Sequence, residues 1–297
     1  MPLIRHSPST GPTSPYVWGL YEKDTGSIQY VAACPHTRKA ALIDVVLDFE
    51  PQAARTSTNS AQAVLDLVTR ERLEVAMILD THPHADHMTA AAWLKEQTGA
   101  PTAIGKKVGD IAAIWRDLYN LPDAFDPTTD FDRLLAETDT FAIGDLEFRV
   151  MLSPGHTLGS ITYVAGDAAF VHDTLMYPDS GTARADFPGG TSADLWDSIQ
   201  SILALPGDTR LFVGHDYGKG GRDPAWEATV AKHKLENIHV KDGTTKPEFI
   251  KTRDDRDATL ALPDRMLHAL QVNLRGGRLP PAEADGHSYF KIPANKF

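Results

Sequence analysis

The chain has 297 residues, 42% of them hydrophobic, so it can bury a sizeable core in one large domain or two modest ones. Its 40 acidic and 29 basic residues give a formal net charge of −11, and no basic cluster offers the surface that a nucleic acid or an anionic membrane needs. A single cysteine, Cys34, excludes an intrachain disulfide. We therefore expect a globular cytoplasmic protein with no nucleic-acid or membrane partner.

The first half of the chain alternates strand and helix patterns. Residues 27–34 and 39–48 are predicted strands, and residues 59–73 carry apolar side chains at helical spacing. An apolar run over residues 74–80 predicts a buried strand, and the sequence THPHADH follows it directly. The remaining predicted elements of this half are a helix over 88–100, a strand over 101–105, a helix over 108–119 and a Pro/Asp-rich loop over 120–132.

The second half repeats this alternation. Its predicted elements are strands over 146–152, 160–166, 168–173 and 209–214, and an amphipathic helix over 191–206. Thr191 and Asp194 have the spacing of a capping box at the start of that helix. From about residue 224 the chain is helical and charged, and it ends in a Gly/Pro-rich tail. Strands followed by helices in both halves predict two similar sheets packed face to face, with helices outside.

Metal-binding side chains lie where four of the predicted strands end. They are His82, His84, Asp86 and His87 after the first strand, and His156, Asp173 and His215 after three later ones. In an extended segment His82 and His84 point the same way, and Gly155 and Gly214 allow tight turns before their histidines. A satisfied core or surface position explains an isolated histidine but not this pattern. The set is large enough for two metal ions, with Asp173 able to bridge them.

The order His-x-His-x-Asp-His, Gly-His, Asp and Gly-His resembles the metallo-β-lactamase superfamily. The resemblance covers about residues 15–235 and implies an α+β fold, a four-layer αβ/βα sandwich with the metal at its open edge. We expect residues 1–14 to be a flexible N-terminal segment and residues 236–297 to be a helical extension packed on the same domain. The fold alone does not give the activity, because the superfamily includes hydrolases of several kinds and an iron oxygenase branch.

Two segments resemble the persulfide dioxygenase branch of the superfamily. GTARADFPGG, residues 181–190, is similar to the Gly-x-x-Arg-x-Asp-Phe segment of that branch. The sequence His215-Asp216-Tyr217 is similar to its His-Asp-Tyr ending, where glyoxalase II enzymes usually have His-Glu-Tyr. We therefore interpret the chain as an iron persulfide dioxygenase.

This resemblance implies one Fe(II) per chain, held by His82, His156 and Asp173. Two imidazoles and one carboxylate leave coordination positions open, so that a persulfide sulfur and O₂ bind side by side. The other ligand-type side chains would orient ligands and waters by hydrogen bonds; they are His84, Asp86, His87 and His215. The alternative is a binuclear zinc hydrolase of the glyoxalase II thioesterase or lactonase type, in which these four residues serve the second ion.

The implied reaction oxidises a thiol persulfide, such as glutathione persulfide, with O₂ to sulfite and the free thiol. An anionic substrate needs local positive charge in an acidic protein, so we predict substrate contacts from Arg184, Lys219 and Arg222. Arg184 and Asp186 match the motif and are expected at the reacting site, and Tyr217 is expected to donate a hydrogen bond there. The alternatives are an internal Arg184–Asp186 ion pair, solvated loop positions for the other two cations, and packing for Tyr217. The sequence leaves open the physiological thiol and whether the chain forms a homodimer.

One residue departs from the family pattern. Immediately before Asp173, where the family usually has glycine, this chain has His172. If the strand alternates regularly, the imidazole points away from the metal and the substitution is tolerated. The alternatives are an added base beside the ligands and an extra ligand.

Overall fold

The structure is a computed structural model that describes residues 2–297. Its strands are β1 (Leu3–Ser7), β2 (Tyr16–Tyr21), β3 (Ile28–Ala33), β4 (Lys39–Ile43), β5 (Val46–Glu50), β6 (Arg55–Ser57), β7 (Glu74–Leu79), β8 (Met88–Thr89), β9 (Thr102–Gly105), β10 (Arg133–Leu135), β11 (Thr140–Ile143), β12 (Leu146–Leu152), β13 (Ile161–Ala165), β14 (Ala168–His172), β15 (Arg210–Val213) and β16 (Glu227–Thr229). Its α-helices are α1 (Asn59–Arg70), α2 (Ala91–Thr98), α3 (Val108–Tyr119), α4 (Pro127–Asp130), α5 (Ser192–Leu203), α6 (Val230–Glu236), α7 (Lys246–Asp257) and α8 (Met266–Asn273).

Two sheets face each other at the centre of the molecule. One has seven strands in the order β1-β2-β3-β4-β7-β9-β10, and the other has six in the order β11-β12-β13-β14-β15-β16. Side chains alternate along β3, so that Tyr30 joins the core between the sheets and Val31 joins the core beneath α1 and α2. Leu195 and Ile199 of α5 pack against the second sheet. The predicted four-layer αβ/βα sandwich is therefore confirmed.

Two predicted elements have different boundaries in the structure. The predicted strand over 39–48 is divided at Asp44, whose φ of 51° ends β4 and turns the chain into β5. The predicted helix over 88–100 begins only at Ala91, because Met88 and Thr89 form β8 and pair with β5. This extra strand anchors the end of the THPHADH segment to the first half of the chain.

The N-terminal residues contribute a strand. β1 pairs antiparallel with β2, with Leu3 opposite Tyr21 and Ser7 opposite Val17. The guanidinium of Arg210 also donates hydrogen bonds to the Ser7 hydroxyl and the Pro8 carbonyl. The prediction of a flexible segment is therefore wrong for residues 3–7. An edge strand with mostly exposed polar side chains has no apolar alternation that would reveal it.

Residues 236–297 pack against the sandwich as α7 and α8, joined and followed by irregular segments. Ala269 and Val272 of α8 join the core beneath α1 and α2, whereas Met266 and Leu270 join the core beneath α3. The helices of this segment are α7 and α8, and the tail after residue 273 forms no helix. Within residues 2–297, no helix has both the length and the apolar character needed to cross a bilayer.

A buried histidine in α6 makes the stability depend on pH. His233 is 0% exposed, and burial lowers its pKa from 6.5 to about 4. Between these values the unfolded chain binds a proton that the folded chain does not, so the free energy of unfolding falls as the pH falls through this window. We expect His233→Gln to reduce that slope by roughly 1.4 kcal/mol per pH unit. Urea unfolding of both proteins at several pH values measures it, and parallel curves would contradict the assignment.

Candidate metal centre

The ligand-type side chains meet at one edge of the sandwich. They follow the ends of β7, β12, β14 and β15, which lead into His82, His156, Asp173 and His215. The two sheets are joined at the same edge, where Ser27 forms a β-bridge with His215 and Ile28 donates a hydrogen bond to the Gly214 carbonyl. The backbone therefore fixes the relative positions of side chains that are far apart in the sequence.

His82, His156 and Asp173 converge on one point. Asp173 Oδ2 lies 3.8 Å from His82 Nε2 and 3.6 Å from His156 Nε2, and one ligand atom from each of the three lies within 4.8 Å of the others. All three side chains are buried. His82 Nε2 has no hydrogen-bond partner among residues 2–297. An unpartnered buried nitrogen is costly unless a ligand occupies it, so these residues fit a metal ion.

Each of these three candidate ligands is also hydrogen-bonded to a neighbouring group. His156 Nδ1 donates to the Arg184 carbonyl over 2.8 Å, which leaves the Nε2 lone pair directed at the site. His82 Nδ1 is hydrogen-bonded to the Thr81 hydroxyl at 3.0 Å, and Asp173 Oδ1 to His215 Nδ1 at 2.6 Å. Burial lowers the pKa of both His82 and His156, so both rings are neutral and can bind a metal.

The two glycines predicted to present histidines act for different reasons. Gly155 has a φ of 132°, and a side chain there would meet the backbone of Leu195 at 2.3 Å. Gly214 is not in the left-handed region, but a Cβ there would lie 2.6 Å from Asp173 Oδ1. The second glycine is therefore needed for the close approach of the ligand carboxylate and not for a turn.

His215 and Asp86 are hydrogen-bonded to each other. His215 Nε2 lies 2.5 Å from Asp86 Oδ2, and the same oxygen accepts from His87 Nδ1 at 3.0 Å. Burial alone would lower the pKa of His215, but the carboxylates of Asp173 and Asp86 raise it well above its usual value. His215 is therefore a cation between two carboxylates, and both of its nitrogens are used.

His84 and His87 each keep one unpartnered nitrogen. His84 Nε2 is hydrogen-bonded to Asp44 Oδ1 at 3.1 Å, and its Nδ1 is buried without a partner among the described residues. The same holds for His87 Nε2. His84, Asp86 and His87 also offer ligand atoms within 4.8 Å of one another. These residues could hold a second ion, provided that Asp86 exchanges its bond to His215 for the metal.

The guanidinium of Arg184 is already engaged by the protein. It donates to both carboxylate oxygens of Asp186, at 2.6 and 2.7 Å, and to the Ala261 carbonyl at 2.7 Å. The internal ion pair, which was the alternative prediction, is thus what the structure contains. Because the Arg184 carbonyl accepts from His156, the pair holds the loop that orients a candidate metal ligand.

Of the other predicted site residues, two line the cleft and one is paired with carboxylates of the protein. Arg222 is paired with both oxygens of Asp179 and of Asp216 and lies against the Tyr177 ring, so the prediction that it faces the substrate is wrong. Lys219 and Tyr217 do line the cleft at the metal site. Tyr217 is 67% exposed and stacks on His215, with ring centroids 6.1 Å apart.

A cleft of about 780 Å³ opens onto the metal site. Its lining includes Phe187 of the GTARADFPGG segment, and Met176, Ile238 and Leu260 from segments with no motif. Arg253 of α7 is buried there and paired with Asp257 at 2.8 Å, whereas Arg256 is exposed and has no carboxylate partner among residues 2–297. The sequence reasoning missed Arg256, because nothing local shows that α7 lies across the cleft.

Two buried residues that the sequence reasoning missed hold the THPHADH segment. Asp44 accepts hydrogen bonds from the Thr81 amide at 2.8 Å and from the Thr81 hydroxyl. Asn273, at the end of α8, donates to the His84 and His87 carbonyls at 2.7 and 2.8 Å and accepts from the Thr89 amide at 2.8 Å. Asp44 directly follows β4, the parallel neighbour of β7, so its position at a strand end was a signal that could have identified it. Nothing in the sequence around Asn273 indicates its contact with the THPHADH segment.

The αβ/βα sandwich and the buried histidine–aspartate cluster at its edge are together characteristic of one structural class of metal-binding enzymes. The chain belongs to the metallo-beta-lactamase superfamily, whose family model matches residues 26–215. The motif resemblance and the predicted fold are thereby confirmed.

Several curated proteins are similar to the chain over most of its length. A "Beta-lactamase hydrolase-like protein" of Xylella fastidiosa is 52% identical over 95% of this chain, and the chain spans 65% of the length of that relative. "Glyoxylase B2" of Dictyostelium discoideum is 41% identical, over 92% of this chain and 95% of that protein. The mitochondrial "Persulfide dioxygenase ETHE1" of Bos taurus is 26% identical over 94% of this chain and 96% of that protein.

Among solved structures, the chain is similar to ETHE1 from Myxococcus xanthus. The TM-score is 0.70 at 29% identity, and the match covers 88% of this chain and 98% of that one. A metallo-beta-lactamase from Staphylococcus aureus has a TM-score of 0.68 at 18% identity, which supports the fold alone.

Proposed function

We propose that the chain is a mononuclear iron persulfide dioxygenase that oxidises glutathione persulfide, or a related thiol persulfide, with O₂ to sulfite and the free thiol. One observation carries this proposal: His82, His156 and Asp173 Oδ2 converge without bonding one another, whereas Asp86 and His215 bind each other at 2.5 Å. The similarity to the Myxococcus ETHE1 structure, which extends over 98% of that chain, supports the same branch.

His82, His156 and Asp173 would hold the ion. A ferrous ion in a two-histidine, one-carboxylate set supplies the binding of O₂ and sulfur and the electron transfer between them. Within the protein, Arg184 and His215 hold two of these ligands through hydrogen bonds, and the apolar side chains of Met176 and Phe187 exclude water from one wall of the cleft. The balanced reaction takes thiol persulfide, O₂ and water to thiol, sulfite and protons.

The charges of the cleft suit an anionic thiol. Arg184 and Arg253 are neutralised by Asp186 and Asp257, but Lys219 and Arg256 have no carboxylate within 4 Å among the described residues. Lys219 donates only to the Asp179 carbonyl, at 2.5 Å, so its charge is not neutralised. These two cations lie on the cleft wall, where they would bind the carboxylates of a glutathione-like substrate.

We expect Lys219→Ala and Arg256→Ala each to raise KM for glutathione persulfide by about 3–10-fold with little change in kcat, because a solvent-exposed charge contact contributes modestly. Steady-state oxygen uptake measures this. Arg222→Ala is the matched control, because Arg222 is close in sequence to Lys219 but is paired with the buried Asp216. It should leave KM nearly unchanged and lower the free energy of unfolding by about 1–3 kcal/mol. A KM increase for Arg222→Ala alone would contradict the assignment of the cleft.

The proposed function is tested by anaerobic purification, metal analysis and an oxygen electrode with glutathione persulfide. We expect one iron per chain, O₂ uptake and formation of sulfite. Protein loaded with one iron per chain that consumes no O₂ with any thiol persulfide would overturn the proposal.

A second candidate function is hydrolysis by two zinc ions. The observation that favours it is the pair of unpartnered nitrogens, His84 Nδ1 and His87 Nε2, beside Asp86. In that case these side chains, together with Asp173, would hold the two ions, which would supply Lewis-acid chemistry and an activated water for hydrolysis. Two zinc ions per active chain together with cleavage of S-lactoylglutathione would establish this function and exclude the first.

A further inference from the structure

His172 stands in a backbone conformation that favours glycine. Its φ is 41°, within the left-handed region that side chains with a Cβ adopt at a cost. The register between β14 and β15 shifts between Phe170 and His172, so one extra residue interrupts the alternation. The regular alternation on which the expected orientation of the imidazole rested is therefore interrupted at this residue. A strained residue in place of glycine calls for a compensating interaction.

The imidazole of His172 contacts all three segments that carry the candidate metal ligands. Its Nε2 is hydrogen-bonded to the Thr174 hydroxyl at 2.8 Å, directly after Asp173, and to the Ser153 hydroxyl at 3.1 Å, at the start of the turn that leads to His156. Its ring lies 5.1 Å from the His82 ring, centroid to centroid. His172 is 1% exposed, so these contacts are made in the dry interior.

A glycine could make none of these contacts. Ser153 is also hydrogen-bonded to the Thr162 hydroxyl at 2.9 Å, so the network continues into β13. The ring thus links the Asp173 segment to the turn that begins at Ser153 and packs against His82.

We propose that His172 is a positioning residue that fixes His82, the His156 turn and Asp173 relative to one another, and so increases the affinity of the site for its metal ion. The inference rests on the metal site of the proposed function, but not on the reaction that the site performs. His172 is not one of the candidate ligands, and it stands where the family usually has glycine.

The experiment compares the wild type with His172→Gly, which relieves the backbone and removes the ring. We measure the affinity of the metal-free protein for Fe(II) and for Co(II) under anaerobic conditions, together with the visible spectrum of bound Co(II), which reports ligand geometry. We expect the variant to bind both ions about 10–100-fold more weakly, as for other partners of metal ligands, and to show an altered Co(II) spectrum.

Two further variants separate positioning from simple packing. His172→Gln restores a polar group near the Nε2 position, and His172→Leu restores only apolar volume. We expect glutamine to recover more of the metal affinity than leucine, whereas equal recovery would reduce the role of His172 to packing and overturn the proposal. Arg72→Gly is the control for backbone relief, since Arg72 has a φ of 54°, is exposed, and precedes the end of β7 opposite to the one that leads into the ligands.

The outcomes are distinguishable from those that test the function. If His172→Gly binds Fe(II) and Co(II) as tightly as the wild type with the same spectrum, the positioning role is wrong whatever the enzyme oxidises. If the wild type binds iron tightly and the variant does not, the positioning role stands even when neither consumes O₂ with a persulfide. Thermal unfolding of the metal-free forms establishes that the compared proteins are folded.

Discussion

Asp173→Ala is expected to abolish iron binding and, with it, oxygen uptake. Asp173 Oδ2 lies between the Nε2 atoms of His82 and His156, at 3.8 and 3.6 Å, and its Oδ1 holds His215 at 2.6 Å. The substitution removes the only carboxylate of the three-donor set and leaves two neutral imidazoles, which hold Fe(II) weakly. The loss should exceed the roughly 10–100-fold weakening that follows removal of an outer hydrogen-bond partner. Iron content per chain and anaerobic Fe(II) titration measure it.

Asp86→Ala is the matched control for Asp173→Ala. Asp86 is also a carboxylate bonded to His215, at 2.5 Å, but it belongs to the neighbouring group of side chains and not to the three-donor set. We expect this variant to retain most of its iron after anaerobic loading. Equal loss of metal in the two variants would show that both carboxylates bind ions, as in the binuclear hydrolase.

Patterns within single segments of the sequence predicted the strands and helices whose structure is determined by their own residues. Apolar runs and helical spacing placed β7, β12, α3 and α5 close to their observed bounds, because a buried strand or an amphipathic helix has a periodicity of its own. The side chains after these strands then had to share an edge. The convergence of His82, His156 and Asp173 follows from that topology, and the family motif named the same residues.

The remaining parts depend on contacts between distant segments. β1 is an exposed edge strand that is defined by its pairing with β2, and Arg222 is oriented by Asp179 and Asp216, which lie on two different segments. His172 lies at a register shift between β14 and β15. A one-residue shift reverses the face on which a side chain lies, and periodicity within one strand does not reveal it.

The C-terminal helix α8 contributes directly to the metal site, and Asn273 is the residue through which it does so. We expect Asn273→Leu to lower the free energy of unfolding of the metal-free protein by about 3–5 kcal/mol and to weaken metal binding. The substitution leaves the His84 and His87 carbonyls and the Thr89 amide buried without their partners, and each unsatisfied group costs about 1–3 kcal/mol before relaxation. Urea unfolding and Co(II) titration measure the two effects separately.

Gln271→Leu distinguishes the loss of a buried amide from the loss of support for the metal site. Gln271 lies on the same helix and is 1% exposed; its amide donates to the Leu267 and Lys291 carbonyls and accepts from the Lys291 amide. Both variants should be destabilised, but Gln271→Leu by less, because it leaves partly buried backbone groups unpaired whereas Asn273→Leu leaves fully buried ones. Only Asn273→Leu should also lose metal affinity in the folded state, because only Asn273 contacts the segment that carries His82, His84 and His87. Equal metal affinities in the two folded variants would show that α8 stabilises the fold without shaping the site.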